Sequence, residues 1–246
     1  MQHVHPPHGA PHSWKDFLLQ IATIATGLLL ALGLEQTVEW FHHRHQRAEL
    51  EEQMRATLEG NKGIYDQDRR VLAGTRAYWE GLRQAVDAKM HGGSRPIPEF
   101  PGVTYVGSVT LGPYDAAIST GVNRLLPLNR ILMYGRIADQ TQSTENALRE
   151  FTKAMSDLRA FGKRLGVADD SGGHLLVPRP VPLEGMTPAE LAEYRALLGA
   201  MIDAGDRFVI RTRRTEAMID AFLGGAKDER ELVEALRQKT MTAPAG

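Results

Sequence analysis

The stretch FLLQIATIATGLLLALGL, Phe17 to Leu34, decides the architecture that the rest of the chain must follow. It contains no charged side chain, and ten of its 18 residues are Leu, Ile or Phe. At about 1.5 Å per residue, a helix of this length reaches roughly 27 Å, close to the hydrocarbon thickness of a bilayer. The stretch therefore predicts one transmembrane helix, and we assign residues 14–41 to it.

The aromatic residues at the two ends of the stretch favour a spanning helix over two alternatives. Trp14 precedes it and the pair Trp40 and Phe41 follows it, at the positions where interfacial aromatic belts form. One alternative is a cleaved signal peptide, because small residues at 31 and 33 have the spacing that a signal peptidase reads. The other is a buried helix of a soluble protein. Lys15 is the one fixed positive side chain before the stretch, which weakens the signal-peptide interpretation.

A line of small residues runs along the predicted span. Thr23, Gly27 and Ala31 recur every fourth residue, and Glu35 continues the line. Small residues at this spacing let two transmembrane helices approach closely, which predicts a self-association face. The alternative is that such residues are common in any span.

Composition restricts the classes of function. The chain has 246 residues, a formal net charge of −1 and no Cys, and its pI is about 6.8. Without a basic field, nucleic acid is not an expected partner. Without Cys, disulfides and thiolate metal sites are excluded.

The first 13 residues, MQHVHPPHGAPHS, are rich in Pro and predict a disordered tail. Four histidines in it are candidates for weak metal binding: His3, His5, His8 and His12. No carboxylate or Cys completes a ligand set there, so the alternative is a mobile or interfacial tail without metal. We expect no cofactor.

The remaining residues, 42–246, predict a soluble domain built from helices. After the span, the helix is expected to stop at Gly60-Asn61, and a second helix carries a stripe from Ile64 to Val86. Residues 94–112 are punctuated by Pro and Gly, which predicts a loop or a short hairpin. A short helix is expected through Ala116 to Leu126.

Three further helices complete the predicted domain. The first runs from Leu128 to Leu165, with a polar patch at residues 140–144. The second opens at the capping box Thr187-Pro188-Ala189-Glu190 and closes at Gly224, and the last begins near Asp228 and ends by Thr242. Long helices with one apolar seam each predict an all-α chain in which the N-terminal transmembrane helix leads into an antiparallel helical bundle.

No catalytic motif is evident. The sequence lacks HExxH, GxxxxGK, GxGxxG after a strand and GxSxG. The acidic pairs Asp66/Asp68 and Asp169/Asp170 could hold a cation, but they are expected to be solvated. His174 with Asp169 is the nearest arrangement to an acid–base pair, but it also has the appearance of an ordinary surface loop. If a site exists, the start of the short middle helix is the place to look, at Tyr114, Asp115 and Asn123, although capping and packing explain these residues equally well.

The N-terminal block is similar to that of a family of uncharacterised proteobacterial single-span membrane proteins. The shared features are Trp14-x-x-Phe17, the run Thr26 to Gln36 that contains Ala-Leu-Gly-x-Glu-Gln, and the charged helix up to Asn61. The later YDAAISTGVNRLL resembles a second block of that family, although this chain lacks the Trp usual near Tyr114 and the basic residues common in the tail. The resemblance implies a bacterial inner-membrane protein and brings no established activity.

The charged residues on the two sides of the span give opposing indications of the side of the membrane on which the large domain lies. Arg44 and Arg47 after the span, against Lys15 before it, favour a cytoplasmic domain. The acidic flank of Glu35 and Glu39 and the free amino terminus oppose this, and with the resemblance they lead us to expect a periplasmic domain.

The sequence therefore favours a membrane-anchored, non-enzymatic interaction or scaffold protein. The expected partners are the lipid bilayer and either another protein or a second copy of the chain. The alternative is a membrane-tethered metal-binding protein or enzyme of unknown substrate.

Overall fold

The structure is a computed structural model that describes residues 14–99, 106–167 and 179–241. Five α-helices lie in these ranges: α1 Trp14–Met90, α2 Gly112–Thr120, α3 Leu128–Arg164, α4 Pro188–Leu223 and α5 Glu229–Met241. A short 3₁₀ helix, Val122–Leu125, follows α2. No strand occurs among the described residues. The all-α prediction is confirmed, and the short hairpin considered for residues 94–112 has no strand in its described parts.

The chain divides into two units, Met1–Glu49 and Leu50–Gly246. In the described part of the first unit, every residue from Trp14 to His42 is exposed. Helix α1 contains an 18-residue window with a mean hydropathy of 2.1, none of it buried. By length and composition, it is the one helix among the described residues that could cross a membrane.

The break predicted at Gly60-Asn61 is wrong, because α1 continues without interruption to Met90. A glycine inside a helix costs about 1 kcal/mol relative to Ala, which packing can offset. Leu58 and Tyr65 are buried on either side of this point, and the Asn61 side chain donates a 2.9 Å hydrogen bond to the Thr110 carbonyl. Burial on both sides therefore keeps the helix intact.

The chain between α1 and α3 runs back along α1. The Pro98 ring packs on Gly81, the amide of Gly107 reaches Asp68, and the carbonyl of Thr110 reaches Asn61. As the residue numbers of the returning chain increase, the residue numbers of its contacts on α1 therefore decrease. Because of this return, α3 runs parallel to the part of α1 that belongs to the second unit.

Ion pairs show that α4 runs antiparallel to α1. Lys62 lies 2.6 Å from Asp220 and Arg76 lies 3.2 Å from Asp206, and Asp87 pairs with Arg195. The exposed pairs each contribute no more than about 1 kcal/mol. Their value here is that they define which residues of the two helices are level with each other.

Helices α3 and α4 are also antiparallel. Thr144 and Thr215 share a 2.8 Å hydrogen bond, Glu150 pairs with Arg207 at 3.2 Å, and Arg164 pairs with Glu193 at 2.6 Å. The predicted antiparallel bundle is confirmed, with α4 as the helix that opposes both others.

The helix ends follow their local sequence. Thr187 accepts a hydrogen bond from the Glu190 amide while the Glu190 carboxylate accepts one from the Thr187 amide, so the predicted capping box is present. The short middle helix was predicted as one piece. It divides at Gly121, whose φ of +79° is the left-handed conformation that glycine adopts without strain.

The core of the second unit consists of two apolar clusters. The first, here called the Met133 cluster, contains Leu50, Met54, Leu58, Tyr65, Met133, Tyr134, Ile137, Met218, Ile219, Phe222 and Leu232 among others. The second, here called the Phe151 cluster, contains Leu72, Trp79, Leu82, Phe151, Met155, Leu158, Phe161, Tyr194, Leu198, Met201 and Phe208 among others. On each of the three long helices, the two clusters are separated by a short interval of sequence.

We expect Gly199→Glu to stabilise the protein by completing the series of α1–α4 ion pairs. Lys62, Arg69, Arg76 and Arg83 follow one another at seven-residue steps on α1, and the register places Gly199 opposite Arg83. The Arg83 Nε has no hydrogen-bond partner among the described residues, and a β-carbon at 199 would meet no atom within 4 Å. Chemical denaturation of the full chain in detergent would measure the gain.

The matched control is Gly199→Ala, which gains only from reduced backbone freedom, by about 0.5–1 kcal/mol. The glutamate should add about 0.5 kcal/mol to that. In an Arg83→Gln background the added increment should vanish. An effect of Gly199→Glu that is equally large in the parent and in the Arg83→Gln background would mean that the inferred register is wrong at this point.

Candidate functional site: a buried polar layer

A layer of polar side chains separates the two apolar clusters. All of its members are less than a tenth exposed, and we call them the polar layer: Asp68, Thr141, Thr144, Thr212, Thr215 and Glu216. They come from α1, α3 and α4, in the intervals between the last residue of one cluster and the first of the other. Polar groups at such positions must find partners inside the protein.

Several members of the layer satisfy each other or the helix backbone. The Thr144 and Thr215 hydroxyls are hydrogen-bonded across α3 and α4, and each also lies within hydrogen-bond distance of the carbonyl one turn earlier on its own helix. Glu216 lies 3.5 Å from the guanidinium of Arg69, which also pairs with Asp66. The layer is therefore partly a closed hydrogen-bond system.

Among the described residues, the Thr141 and Thr212 hydroxyls have no hydrogen-bond partner, and Asp68 is only partly satisfied. Its Oδ1 accepts a 2.8 Å hydrogen bond from the Gly107 amide, but its Oδ2 has no hydrogen-bond partner among the described residues. The side chain is only 1% exposed, so bulk water does not reach this oxygen. Asp68 thus holds a carboxyl group in the core without a cation against it.

The environment of Asp68 favours its neutral form. Burial raises the pKa of the carboxyl to about 6 from its ordinary value of 3.8, since a charge is costly away from water. The hydrogen bond from Gly107 opposes this effect, and the negative charge of Glu145 adds to it. Burial likewise raises the pKa of the neighbouring Tyr65 phenol, while the Thr141 hydroxyl beside it acts in the opposite direction. The site can therefore take up a proton under mildly acidic conditions.

Two carboxylates hold the returning chain at this level. Glu145 on α3 accepts a 2.9 Å hydrogen bond from the Ser108 hydroxyl and a 3.0 Å bond from the Val109 amide. Asp68 on α1 accepts from the Gly107 amide, two residues earlier. We call residues 106–111 the strap, because side chains of two helices fasten it where it has no helix or strand of its own.

The expectation that Asp66 and Asp68 are both solvated is wrong for Asp68. Asp66 is partly exposed and pairs with Arg69 and Arg70. Asp68 points into the core, because α1 continues as a helix and residue 68 lies one turn from the buried Tyr65 and Leu72. The spacing Tyr65, Asp68, Leu72 was the signal in the sequence that could have identified it.

The structure places the residues considered at the start of the middle helix in separate local contacts. Tyr114 lies beside Tyr134, with ring centroids 6.4 Å apart, and burial raises the pKa of its phenol. The Asn123 carbonyl accepts the Leu126 amide at the end of the 3₁₀ helix. Asp115 is exposed. These contacts bring no second catalytic group to Tyr114.

The residues of the predicted association face all lie on exposed helix. Thr23, Gly27, Ala31 and Glu35 are exposed, and a β-carbon at 27 would meet no atom within 4 Å. The Thr23 hydroxyl donates to the Leu19 carbonyl at 2.9 Å, so the helix itself satisfies it. The line is available for a second helix.

The interface anchors form small aromatic groups at the two ends of the apolar stretch. Trp14 stacks on Phe17 with ring centroids 5.5 Å apart. Trp40 packs edge-on against Phe41 at 4.9 Å, and the guanidinium of Arg44 lies 5.4 Å from the Trp40 ring centroid. Each group combines an apolar ring with a polar edge, as residues at a membrane surface do.

The candidate metal ligands are not brought together in the described part of the chain. His3, His5, His8 and His12 lie outside the described residues, as do Asp169, Asp170 and His174. In the ranges that the structure covers, no group of three His, Cys, Asp or Glu side chains is arranged to hold a metal ion. The metal prediction for the tail stays a prediction.

We expect Gly107→Ala to weaken the strap. A β-carbon at residue 107 would lie 2.6 Å from Cγ2 of Ile64, a distance that requires a shift of one or the other. Overpacking of this kind costs about 1–3 kcal/mol of the free energy of unfolding, which denaturant titration measures.

Two further variants separate this clash from the general effect of alanine. Gly112→Ala is the matched control, because a β-carbon there would meet no atom within 4 Å. Ile64→Leu removes the methyl branch at the β-carbon and should restore most of the stability lost in Gly107→Ala. A cost as large at 112 as at 107 would contradict the close approach of the strap to α1.

Comparisons with protein-family models, with curated proteins and with solved structures find no significant match to this chain. The resemblance of the N-terminal block to single-span membrane proteins therefore stays a prediction. The polar layer and the exposed apolar helix are the two features on which a function can be argued.

Proposed function

We propose that this chain is a single-pass protein of the bacterial inner membrane whose helical bundle acts as a scaffold, binding another protein or a second copy of itself. The N-terminal part of α1 is the anchor in this proposal, and the bundle of the second unit is the interaction domain.

One observation carries the proposal. The apolar side chains from Phe17 to Leu34 are exposed all around α1, and none of the apolar window is buried. A core helix of a soluble protein would instead be covered by its own chain. Exposed apolar surface of this extent requires lipid or a protein partner. The aromatic groups at Trp14 and Trp40 support lipid as the surrounding medium.

Self-association through the span is the interaction that the anchor itself supports. In a bilayer, helices associate through close backbone contact and not through the hydrophobic effect, and small residues permit that contact. Thr23, Gly27 and Ala31 provide a line of such residues, and the open space at Gly27 supports its use.

The bundle is placed on the periplasmic side in this proposal. Lys15 and the free amino terminus supply positive charge before the span, and Glu35 and Glu39 follow it. The Arg44 guanidinium, which counts against this side, is engaged with the Trp40 ring. A topology reporter fused to the C-terminus distinguishes the two sides directly.

We expect the intact chain to stay in the membrane fraction after lysis without detergent, through an alkaline wash, and to dissolve only in detergent. The physical reason is the exposed apolar surface between Phe17 and Leu34. Mass spectrometry of the purified chain should find residues 1–34 still attached. Recovery in the soluble fraction, or a mature chain that begins near residue 34, would support a soluble protein or a cleaved signal peptide instead.

We expect Gly27→Leu to weaken dimerisation about tenfold, which corresponds to about 1.4 kcal/mol. The matched control is Ala25→Leu, because residue 25 lies on the opposite side of the helix from residue 27. Crosslinking in detergent micelles at several protein concentrations measures the dimer fraction. Equal loss in both variants, or no dimer in the parent chain, would remove self-association from the proposal and leave a different protein as the partner.

A further inference from the structure

The strap is held in an unusual way for a segment that closes over a core. Among the described residues, its hydrogen bonds to α1 and α3 are made by side chains of those helices, Asp68 and Asn61 from α1 and Glu145 from α3. Beneath it, Val106 packs in the Phe151 cluster, and Val109 and Leu111 pack in the Met133 cluster. The strap therefore lies against Asp68 of the polar layer and contributes side chains to both clusters.

The charged groups around Asp68 do not balance it. On α1, Arg69 lies next to it in sequence, but its guanidinium pairs with Asp66 and with Glu216 of α4. From α3 the facing group is Glu145, which is also a carboxylate, and Tyr65 is a further titratable neighbour among the described residues. The described residues of the strap carry no charged side chain. An ionised Asp68 would thus be a buried anion that faces another anion.

We propose that Asp68 is a proton-dependent latch, which keeps the strap closed when it is neutral and favours opening of the strap when it ionises. The geometry supports this because one carboxyl oxygen already holds the Gly107 amide and the other has no partner among the described residues. Opening of the strap would give the ionised carboxylate access to water, which satisfies that second oxygen.

The direction follows from the two states of the group. In the closed state the pKa of Asp68 is raised to about 6, and in the open, hydrated state it returns toward its ordinary 3.8. The closed state therefore binds the proton more tightly, so acid stabilises it and opening becomes easier as the pH rises from about 4 to about 6 and levels off above that. The difference in pKa corresponds to an opening equilibrium roughly a hundredfold larger at pH 7 than at pH 4.

Because the chain has no Cys, a single introduced thiol reports this opening without background. We would place it at the buried Val109, as Val109→Cys, and measure its reaction with a small disulfide reagent in the full chain in detergent, from pH 4.5 to 7.5. Ala73→Cys, at an exposed position on α1, gives the intrinsic pH dependence of the reaction. Ala147→Cys, buried in the Phe151 cluster, reports opening of the whole bundle.

The expected result is a rise of tens of fold, with a midpoint near pH 6, in the ratio of the rate at 109 to the rate at 73. The ratio for residue 147 should not rise in parallel. In an Asp68→Asn background the rise should disappear, since the amide keeps an acceptor for Gly107 but does not ionise. Asp66→Asn, at the partly exposed neighbour, should leave the rise unchanged.

Three outcomes would overturn the latch. They are a ratio that is constant with pH, a parallel rise at residues 109 and 147, and an equal rise in Asp68→Asn. If Asp68→Asn does not fold, the comparison of positions 109, 73 and 147 in the parent chain still decides. None of these measurements depends on the membrane placement, so failure of the latch and failure of the proposed anchor are distinguishable.

Discussion

The bundle depends on the antiparallel contact that α4 makes with both α1 and α3. Once α4 opposes both helices, α1 and α3 must be parallel to each other in the second unit. Two parallel neighbours cannot be joined by a short turn, so the chain has to travel back along the length of the bundle between them. Residues 91–127 form this connection between α1 and α3, and the strap is a described part in its middle.

The long return explains why polar groups lie in the core. A segment without a helix or strand leaves backbone amides without ladder partners, and buried amides require acceptors. Asp68 and Glu145 supply those acceptors for residues 107 and 109, and the Asn61 side chain serves the carbonyl of residue 110. The contact between α3 and α4 at Thr144 and Thr215 completes a hydrogen-bonded level between two apolar ones. A polar level of this kind buries less apolar surface than an apolar one would. Its hydrogen bonds fix which residues of the helices lie side by side.

The limits of most helices could be predicted from local sequence, because caps and apolar spacing are local. Thr187 and Glu190 define the start of α4, and Pro127 and Gly166 bracket α3 within a residue or two. The predicted stop at Gly60 failed because the helix there is stabilised by distant partners: Thr110 for Asn61, and the Met133 cluster for Leu58. A signal of that kind is not contained in the neighbouring residues.

The site was less accessible to prediction than the fold. Asp68 lies between the buried Tyr65 and Leu72. A seam traced through Ile64 and Val71 passes beside it, since those two residues are only half-buried. The polar patch at residues 140–144 was visible in the sequence, but its relation to Thr212 and Thr215 required the register of α3 and α4. Without that register, threonines in a helix have no distinctive appearance.

The strap also constrains how this sequence can change over evolutionary time. Glycine at 107, an acid at 68 and an acid at 145 form one unit, because the close approach to Ile64 is useful only when both amides find acceptors. Loss of one member removes the selective value of the other two. Among related chains, the three positions should therefore covary: all retained, or all replaced together by a different way of crossing the bundle.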